Sequence, residues 1–172
     1  YIIARPCPKK ESTDEKEPAV SVIIPARNEK GNIESVIKRM PKLGSHTEII
    51  FVEGRSKDNT LEEIKRCQKE YSQRDIKVFV QEGIGKADAV RKGFNQASGD
   101  ILMILDADLT VRPEDLPKFY QALVKGKGEF INGCRLVYPL EKESMRFLNT
   151  LGNKFFSVLF CWLLDQKIKD TL

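Results

Sequence analysis

Several things are scarce in this chain of 172 residues. Its four cysteines, Cys7, Cys67, Cys134 and Cys161, lie far apart and none forms a CxxC pair. Neither a zinc site nor a disulfide framework is therefore indicated, and a reducing, cytoplasmic setting is expected. The net charge of +4 is too small to argue for nucleic acid, and no nucleic-acid partner is expected. No signal peptide is expected, and the sequence shows no internal repeat and no uninterrupted apolar stretch long enough to cross a bilayer. The chain opens on Tyr1 rather than a methionine, which suggests a piece of something longer. What is present is 41% hydrophobic and 31% charged residues, ordinary for a soluble globular protein, and enough length for one domain with a substantial core.

The organisation is uneven at the start. "YIIARP" (1–6) is a strand-like scrap, either the last strand of a preceding domain or a loose tail. "KKESTDEKEP" (Lys9 to Pro18) is almost wholly charged or polar and cannot bury enough apolar surface to offset the entropy of ordering it. Residues 1–18 are therefore taken as a tail of a preceding segment and a linker, with the domain proper running over 19–172.

From Ala19 the pattern alternates. "AVSVII" (19–24), "EIIFVE" (48–53), "IKVFVQ" (76–81) and "ILMILD" (101–106) are short apolar runs rich in β-branched residues. Between them Ile33, Val36, Ile37 and Met40 share a helical face, as do Leu61, Ile64 and Tyr71, with Thr60 and Glu63 at capping-box spacing. Ala87, Val90, Phe94 and Ala97 predict a third inward stripe. Pro113, Glu114 and Asp115 suit a helix first turn, after which Leu116, Phe119, Tyr120 and Leu123 face inward. Such alternation implies a mainly parallel sheet in a three-layer α/β/α sandwich. The unbroken "ILMIL" predicts a strand buried on both faces.

The ends of those strands carry the chemistry. Asp106 is expected to close the fourth strand, with Asp108 two residues on. Ligands in open α/β sheets bind beyond the carboxyl ends of the strands. Paired carboxylates there repel unless a cation joins them, and oxygen ligands of this kind suit Mg²⁺ or Mn²⁺. The bland alternative is a loop with two solvated acids. "PARNE" (25–29) follows the first strand. Glu53 and then Ser56, Asp58 and Thr60 follow the second, where Asp58 and Thr60 suit caps of the next helix. Gly83, Gly85 and Lys86 follow the third, a glycine-bearing turn into a helix N-terminus that favours an anion.

Together "VSVIIPARNEKGNI", "IIFVEGRSKDNT", "GKADAVRKGFNQASGDILMILDADL" and "INGCRLV" resemble the inverting glycosyltransferases of the GT-A fold, the large family that includes dolichyl- and polyprenyl-phosphate sugar synthases. The resemblance covers nearly everything from Ala19 to about Leu172, with four motifs in the family's order and spacing. It implies a Rossmann-like fold, a nucleotide-diphosphate sugar as donor, a divalent metal, and an acceptor that includes the polyprenyl phosphates. By position, Pro25, Ala26, Asn28 and Glu29 should line the base and ribose. Glu53 stands where the family has the first of two aspartates and should reach the base edge, although here the pair reads Glu53-Gly54. Lys86 and Asp88 match positions near nucleotide and sugar. Asp106 and Asp108 match the metal-binding DxD, with Asp108 in a catalytic role. Thr110 stands where some relatives have a metal-coordinating Gln. Arg135, in Gly133-Cys134-Arg135, and Arg146 match arginines that hold acceptor or donor phosphate, and Arg135 is the second residue expected to be catalytic.

A lipid-phosphate acceptor is already ionised near neutral pH and needs no general base, whereas a hydroxyl acceptor would need one. Glu141 and Glu143 lie downstream, but neither is a clear base, which favours phosphate. The segment 145–164, ending "VLFCWLL", is either a helix lying in the membrane interface or a core helix. The first reading would place the protein peripherally at the inner face of the membrane. "IKDTL" resembles the start of the family's acceptor-side D-x-T segment, so the domain is expected to be truncated there. Two other function classes are weighed. A nucleotidylyltransferase would want a glycine-rich basic loop after the first strand, and "PARNE" has no glycine. A non-catalytic nucleotide-sugar binding module would share the donor motifs.

Overall fold

The computed structural model describes residues 17–133. The expectations for Tyr1 to Pro6, for most of the linker, and for Cys134, Arg135, Glu141, Glu143, Arg146, the 145–164 segment and "IKDTL" lie outside the described residues. Residues up to Lys125 form one compact unit, and residues 126–133 group apart from it.

The unit alternates strand and helix from end to end. In order come β1 (Val20–Ala26), α1 (Lys30–Arg39), β2 (Thr47–Glu53), α2 (Thr60–Glu70), β3 (Asp75–Val80), α3 (Lys86–Gln96) and β4 (Ile101–Ile104). A 3-10 turn at Pro113–Asp115 then leads into α4 (Leu116–Val124). The four strands form one parallel sheet in the order β3-β2-β1-β4. Chain order therefore reverses direction between β1 and β4, which is where open α/β sheets bind ligands.

The pleat divides the strands between two layers. Val20, Val22, Ile24 and Ala26 of β1 join Ile49 and Phe51 of β2 on one face, against Ile33, Val36 and Ile37 of α1 and Ile64 and Cys67 of α2. Leu116 belongs to the same cluster. On the other face Ile50 and Val52 pack with Ala89 of α3 in a smaller cluster, flanked by Phe79 and Ala97. Helix α1 ends where Met40, the residue before Pro41, is pushed to an extended conformation with ψ 117. Burial of Cys67 pushes its thiol up to about 11, so this cysteine is a packing residue rather than a nucleophile.

Three local expectations need correction. The fourth strand is not buried on both faces. Met103 is 7% exposed, but its neighbours Leu102 and Ile104 are 43% and 48% exposed. Among the described residues β4 is an edge strand, and α3 lies over β1 and β2 instead. The inward face of α3 is Ala89 and Gly93, while Ala87 and Phe94 are exposed. The cause is close approach, since a Cβ added at Gly93 would sit 2.4 Å from Ile23 Cγ2. The helix therefore rests on its smallest residues, and the larger ones turn aside. Finally, Thr60 and Glu63 do not form a capping box. The Glu63 carboxylate pairs with Arg66, and the Thr60 hydroxyl is engaged elsewhere.

Candidate active site

Every strand delivers its following loop to the same edge of the sheet, and the backbone there is unusual. Among the described residues four non-glycine positions have positive φ: Asn28, Arg55, Asn59 and Leu109. All four lie in loops that follow β1, β2 or β4. Backbone of this kind is held in place only where the surroundings over-determine it, and it clusters at functional sites.

Two of the loops grip each other. Asn28 donates its backbone amide to Ser56 Oγ at 2.9 Å and accepts from the Lys57 amide through Oδ1 at 2.9 Å. The Glu29 amide donates to Thr60 Oγ1 at 3.0 Å. Asp58 accepts from the Lys30 amide through one oxygen, and from the Thr60 amide and hydroxyl through the other. The first-turn amide of α1 is thus capped by a residue from the loop before α2. The Thr60 hydroxyl, followed by the Lys30 and Thr60 amides, holds the Asp58 carboxyl below its ordinary range against partial desolvation. Glu53 is buried and braces the same loop, accepting from the Ser56 amide at 2.5 Å. A Cβ at Gly54 would press on Arg27 Cβ at 3.1 Å and Gln81 Oε1 at 3.2 Å, a tight fit to which those side chains would have to yield.

Strands β1 and β4 part at this edge for a covalent reason. The Ile101 amide donates to Ala19 O and the Leu105 amide to Ile23 O, each at 3.0 Å. The next rung would need the N–H of residue 25, and Pro25 has none. The ladder stops, and β4 ends at Ile104 rather than at Asp106. Asp106 therefore stands two residues beyond the strand, in the gap that the proline leaves open.

That gap is a cavity of about 280 Å³. Pro25 and Ala26 line it from β1, Arg27 and Glu29 from the loop that follows, Gly85 and Lys86 from the start of α3, Gln81 from just past β3, and Asp106, Ala107 and Asp108 from the β4 loop. Of the residues expected from sequence, Pro25, Ala26, Glu29, Lys86, Asp106 and Asp108 are brought together here. Asn28, Glu53 and Asp88 are not in the lining. Asn28 and Glu53 hold the loops behind it, and Asp88 accepts from the Gly83 amide at 2.8 Å, fixing the turn before α3. Gly83 leaves room for that contact, since a Cβ would fall 2.7 Å from the Asp88 carboxyl carbon. Asp108 accepts from the Thr110 amide at 2.9 Å around the left-handed Leu109, whose side chain packs on the core. Arg27 and Gln81 were not singled out from sequence. Gln81 carried a signal: it is the polar residue that ends the third apolar run at the same edge as the other candidates.

Two charges meet inside the cavity. Lys86 Nζ lies 2.5 Å from Asp106 Oδ1, with the two side chains 59% and 36% exposed. The donor set fits a hard divalent ion whose remaining ligands come from a phosphate-bearing molecule and water. Two carboxylates line the cavity beside Glu29, and among the described residues no cluster of three or more acids, histidines or cysteines makes an all-protein cage. Mg²⁺ is typically held in this way, by one or two carboxylates plus substrate phosphates.

A parallel sheet with its crevice at the β1/β4 reversal, lined by a carboxylate pair and the start of a helix, has the architecture of the Rossmann-like GT-A nucleotide-sugar transferases. Residues 21–168 match Glycosyl transferase family 2, and the chain belongs to that family. It is 35% identical over 137 residues to a dolichol-phosphate mannosyltransferase from Pyrococcus furiosus, covering 78% of this chain and 38% of the relative. It is 32% identical over 111 residues to an undecaprenyl-phosphate 4-deoxy-4-formamido-L-arabinose transferase from Edwardsiella ictaluri, covering 62% of this chain and 34% of that one. The chain thus spans well under half the length of these relatives. Among solved structures it resembles a mannosyltransferase from Pyrobaculum calidifontis in complex with GDP-Man and Mn²⁺, with a TM-score of 0.51 and 26% identity over 62% of this chain and 33% of that one. It also resembles the Mycobacterium tuberculosis glucosyl-3-phosphoglycerate synthase complex with Mn²⁺, UDP and glucosyl-3-phosphoglycerate. There the TM-score is 0.54 and the identity 26%, over 64% of this chain and 41% of that one.

Proposed function

We propose that this chain carries the donor site of an inverting glycosyltransferase that moves a sugar from a nucleoside diphosphate to a polyprenyl phosphate, with Mg²⁺ or Mn²⁺ held by Asp106 and Asp108. The observation that carries the reading is the gathering of both aspartates, Lys86 and the start of α3 around one cavity at the β1/β4 crevice. Two solved relatives hold Mn²⁺ with a nucleotide or nucleotide sugar, and the curated relatives act on lipid phosphates by name.

The chain's own groups then divide the work. Pro25 and Ala26 supply a flat apolar wall for the nucleoside, and Glu29, Arg27 and Gln81 supply its polar rim. Diphosphate seats at the N-terminus of α3, where backbone N–H groups and Lys86 favour an anion. Negative charge grows on that diphosphate as the sugar leaves, and Asp106 and Asp108 would hold a divalent ion that would neutralise it where it develops. The acceptor attacks from the opposite face. The carboxylates lining the cavity are Glu29, Asp106 and Asp108. The aspartates are assigned to the ion, and Glu29 accepts from Asn32 at 2.7 Å. Among the described residues that line the cavity, no carboxylate is left as a dedicated base, which favours an acceptor that is already ionised. Arg135 and Arg146, outside the described residues, remain the groups proposed to hold its phosphate. No helix among the described residues is long and apolar enough to cross a membrane, and the reading places the protein peripherally at the inner membrane face.

Calorimetry tests the core of this. GDP or UDP should bind in Mn²⁺ and lose that metal-dependent affinity in Asp108→Ala. An unchanged dissociation constant in the variant would overturn the donor assignment. Donor hydrolysis or transfer, measured on this chain and on a longer one, separates a transferase from a binding module.

A further inference from the structure

The ion pair inside the cavity puts the nucleotide cation and the metal carboxylate on each other. Lys86 Nζ stands 2.5 Å from Asp106 Oδ1, and both residues line the space proposed for diphosphate. Lys86 is the first residue of α3, preceded by Gly85 at φ 89. Its ammonium already neutralises an oxygen that a divalent ion would need. An ion bound to Asp106 and an ammonium on the same carboxylate repel, so each weakens the other's hold.

We propose that Lys86 is a placeholder cation that couples metal binding to nucleotide binding. Without donor it occupies Asp106 and opposes capture of a bare ion. With donor it transfers to the diphosphate and hands Asp106 to the metal. The pair is exposed enough to part at little cost, since ion pairs in contact with water are weak. Linkage makes the effect reciprocal: diphosphate tightens the ion by removing Lys86, and the ion tightens diphosphate by sending Lys86 to it. The consequence is an enzyme that does not hold metal tightly until its donor arrives. This inference rests on the donor-site reading above and assigns Lys86 a role beyond simple attraction of phosphate.

Titration of Mn²⁺ followed by electron paramagnetic resonance, without nucleotide and then with GDP or UDP, tests it on wild type, Lys86→Met and Lys86→Arg. Lys86→Met keeps the length of the side chain and removes its charge, at an exposed first-turn position where the thermal midpoint should hold. It should bind Mn²⁺ alone several-fold more tightly than wild type, while the tightening produced by nucleotide shrinks several-fold. Lys86→Arg restores a cation and should return Mn²⁺ affinity toward wild type. If Lys86→Met binds Mn²⁺ alone no better than wild type, the placeholder role is wrong, and the donor site stands as long as wild type binds ion and nucleotide together. If wild type binds neither in any combination, the donor-site reading falls and takes this inference with it.

Discussion

At the N-terminal edge of the sheet, Glu48 is 1% exposed and has no unmet need. It accepts from Ser21 Oγ at 2.5 Å, from the Ser98 amide at 3.1 Å, from Ser98 Oγ at 2.9 Å, and from the Lys77 ammonium. At the opposite edge Asp106 pairs with Lys86, stands more than a third exposed, and faces a cavity. Both are carboxylate–lysine pairs on loops or strands of the same sheet. They differ in satisfaction. Glu48 ties β1, β2, β3 and the loop before β4 into one register, and a group so fully engaged has nothing to offer a ligand. Asp106 keeps oxygen in reserve. Among buried or half-buried charges, the one that is incompletely engaged is the candidate for chemistry.

The largest effect should fall on activity at the open end. The double substitution Asp106→Asn, Asp108→Asn should lower metal-dependent sugar transfer about a thousandfold, equivalent to about 4 kcal/mol of transition-state stabilisation. Its unfolding free energy should stay within about 0.5 kcal/mol of the parent, because both positions flank a cavity rather than fill a core. Steady-state kinetics alongside urea unfolding checks both halves. A large loss of stability would erase the contrast with Glu48.

The closed end should behave the other way. Glu48→Gln should leave nucleotide binding intact and cost about 3 kcal/mol in urea unfolding, the range for breaking a buried, hydrogen-bonded charge pair. Burial pushes the Glu48 carboxyl up, but Lys77, Ser21 and Ser98 together outweigh it and hold the group at about 2. Because the folded value lies below the ordinary one, the stability from Glu48 is fully present above about pH 4.5 and is lost as pH falls toward 2. The gap between wild type and Glu48→Gln should therefore be constant from pH 7 to 5, narrow steadily below about pH 4.5, and close only near pH 2. A gap that stays undiminished from pH 5 down to pH 2 would mean shape rather than charge makes the contribution.

A smaller effect joins the two ends through α3. Gly93→Ala forces a Cβ to within 2.4 Å of Ile23 Cγ2, so α3 must lift from β1. Overpacking costs about 1–3 kcal/mol, offset by up to about 1 kcal/mol of helix propensity, leaving about 1 kcal/mol of net loss in urea unfolding. Because Lys86 begins the same helix, nucleotide affinity should weaken a few-fold at the same time. Stability lost without any change in affinity would show that the two ends are mechanically independent.

Much of this was legible beforehand, and the misses have physical reasons. The four strands, the parallel order and the polar edge follow from apolar runs alternating with helical periods, signals that extend over many residues. The cavity members Pro25, Ala26, Glu29, Lys86, Asp106 and Asp108 were legible because each lies just past the end of a run. The inward face of α3 was not, because periodicity weighs Phe94 above Gly93, whereas close packing on Ile23 favours the residue with no side chain. The half-exposure of β4 was not, because "ILMIL" records hydrophobicity but not which strand lies at an edge. Nor could the sequence show that Asn28, Glu53 and Asp88 bind neighbouring loops rather than the cavity, since their partners Ser56, Lys57 and Gly83 are a matter of backbone path.

The smallest expected effect tests the rule itself. Tyr120 Oη is buried with no hydrogen-bond partner among the described residues. A Cβ at Gly44 would lie 3.1 Å from it, and burial pushes its phenol up, with Glu17 adding to the shift. If satisfaction is what separates structural polar groups from functional ones, this hydroxyl contributes nothing to the fold. Removing an unpaired buried donor relieves its desolvation, so Tyr120→Phe should be neutral or stabilising by up to about 1 kcal/mol in urea unfolding. Loss of more than about 1 kcal/mol would instead place a bound water on Tyr120. The hydroxyl would then belong with Glu48, as a structural group whose partners happen to include solvent.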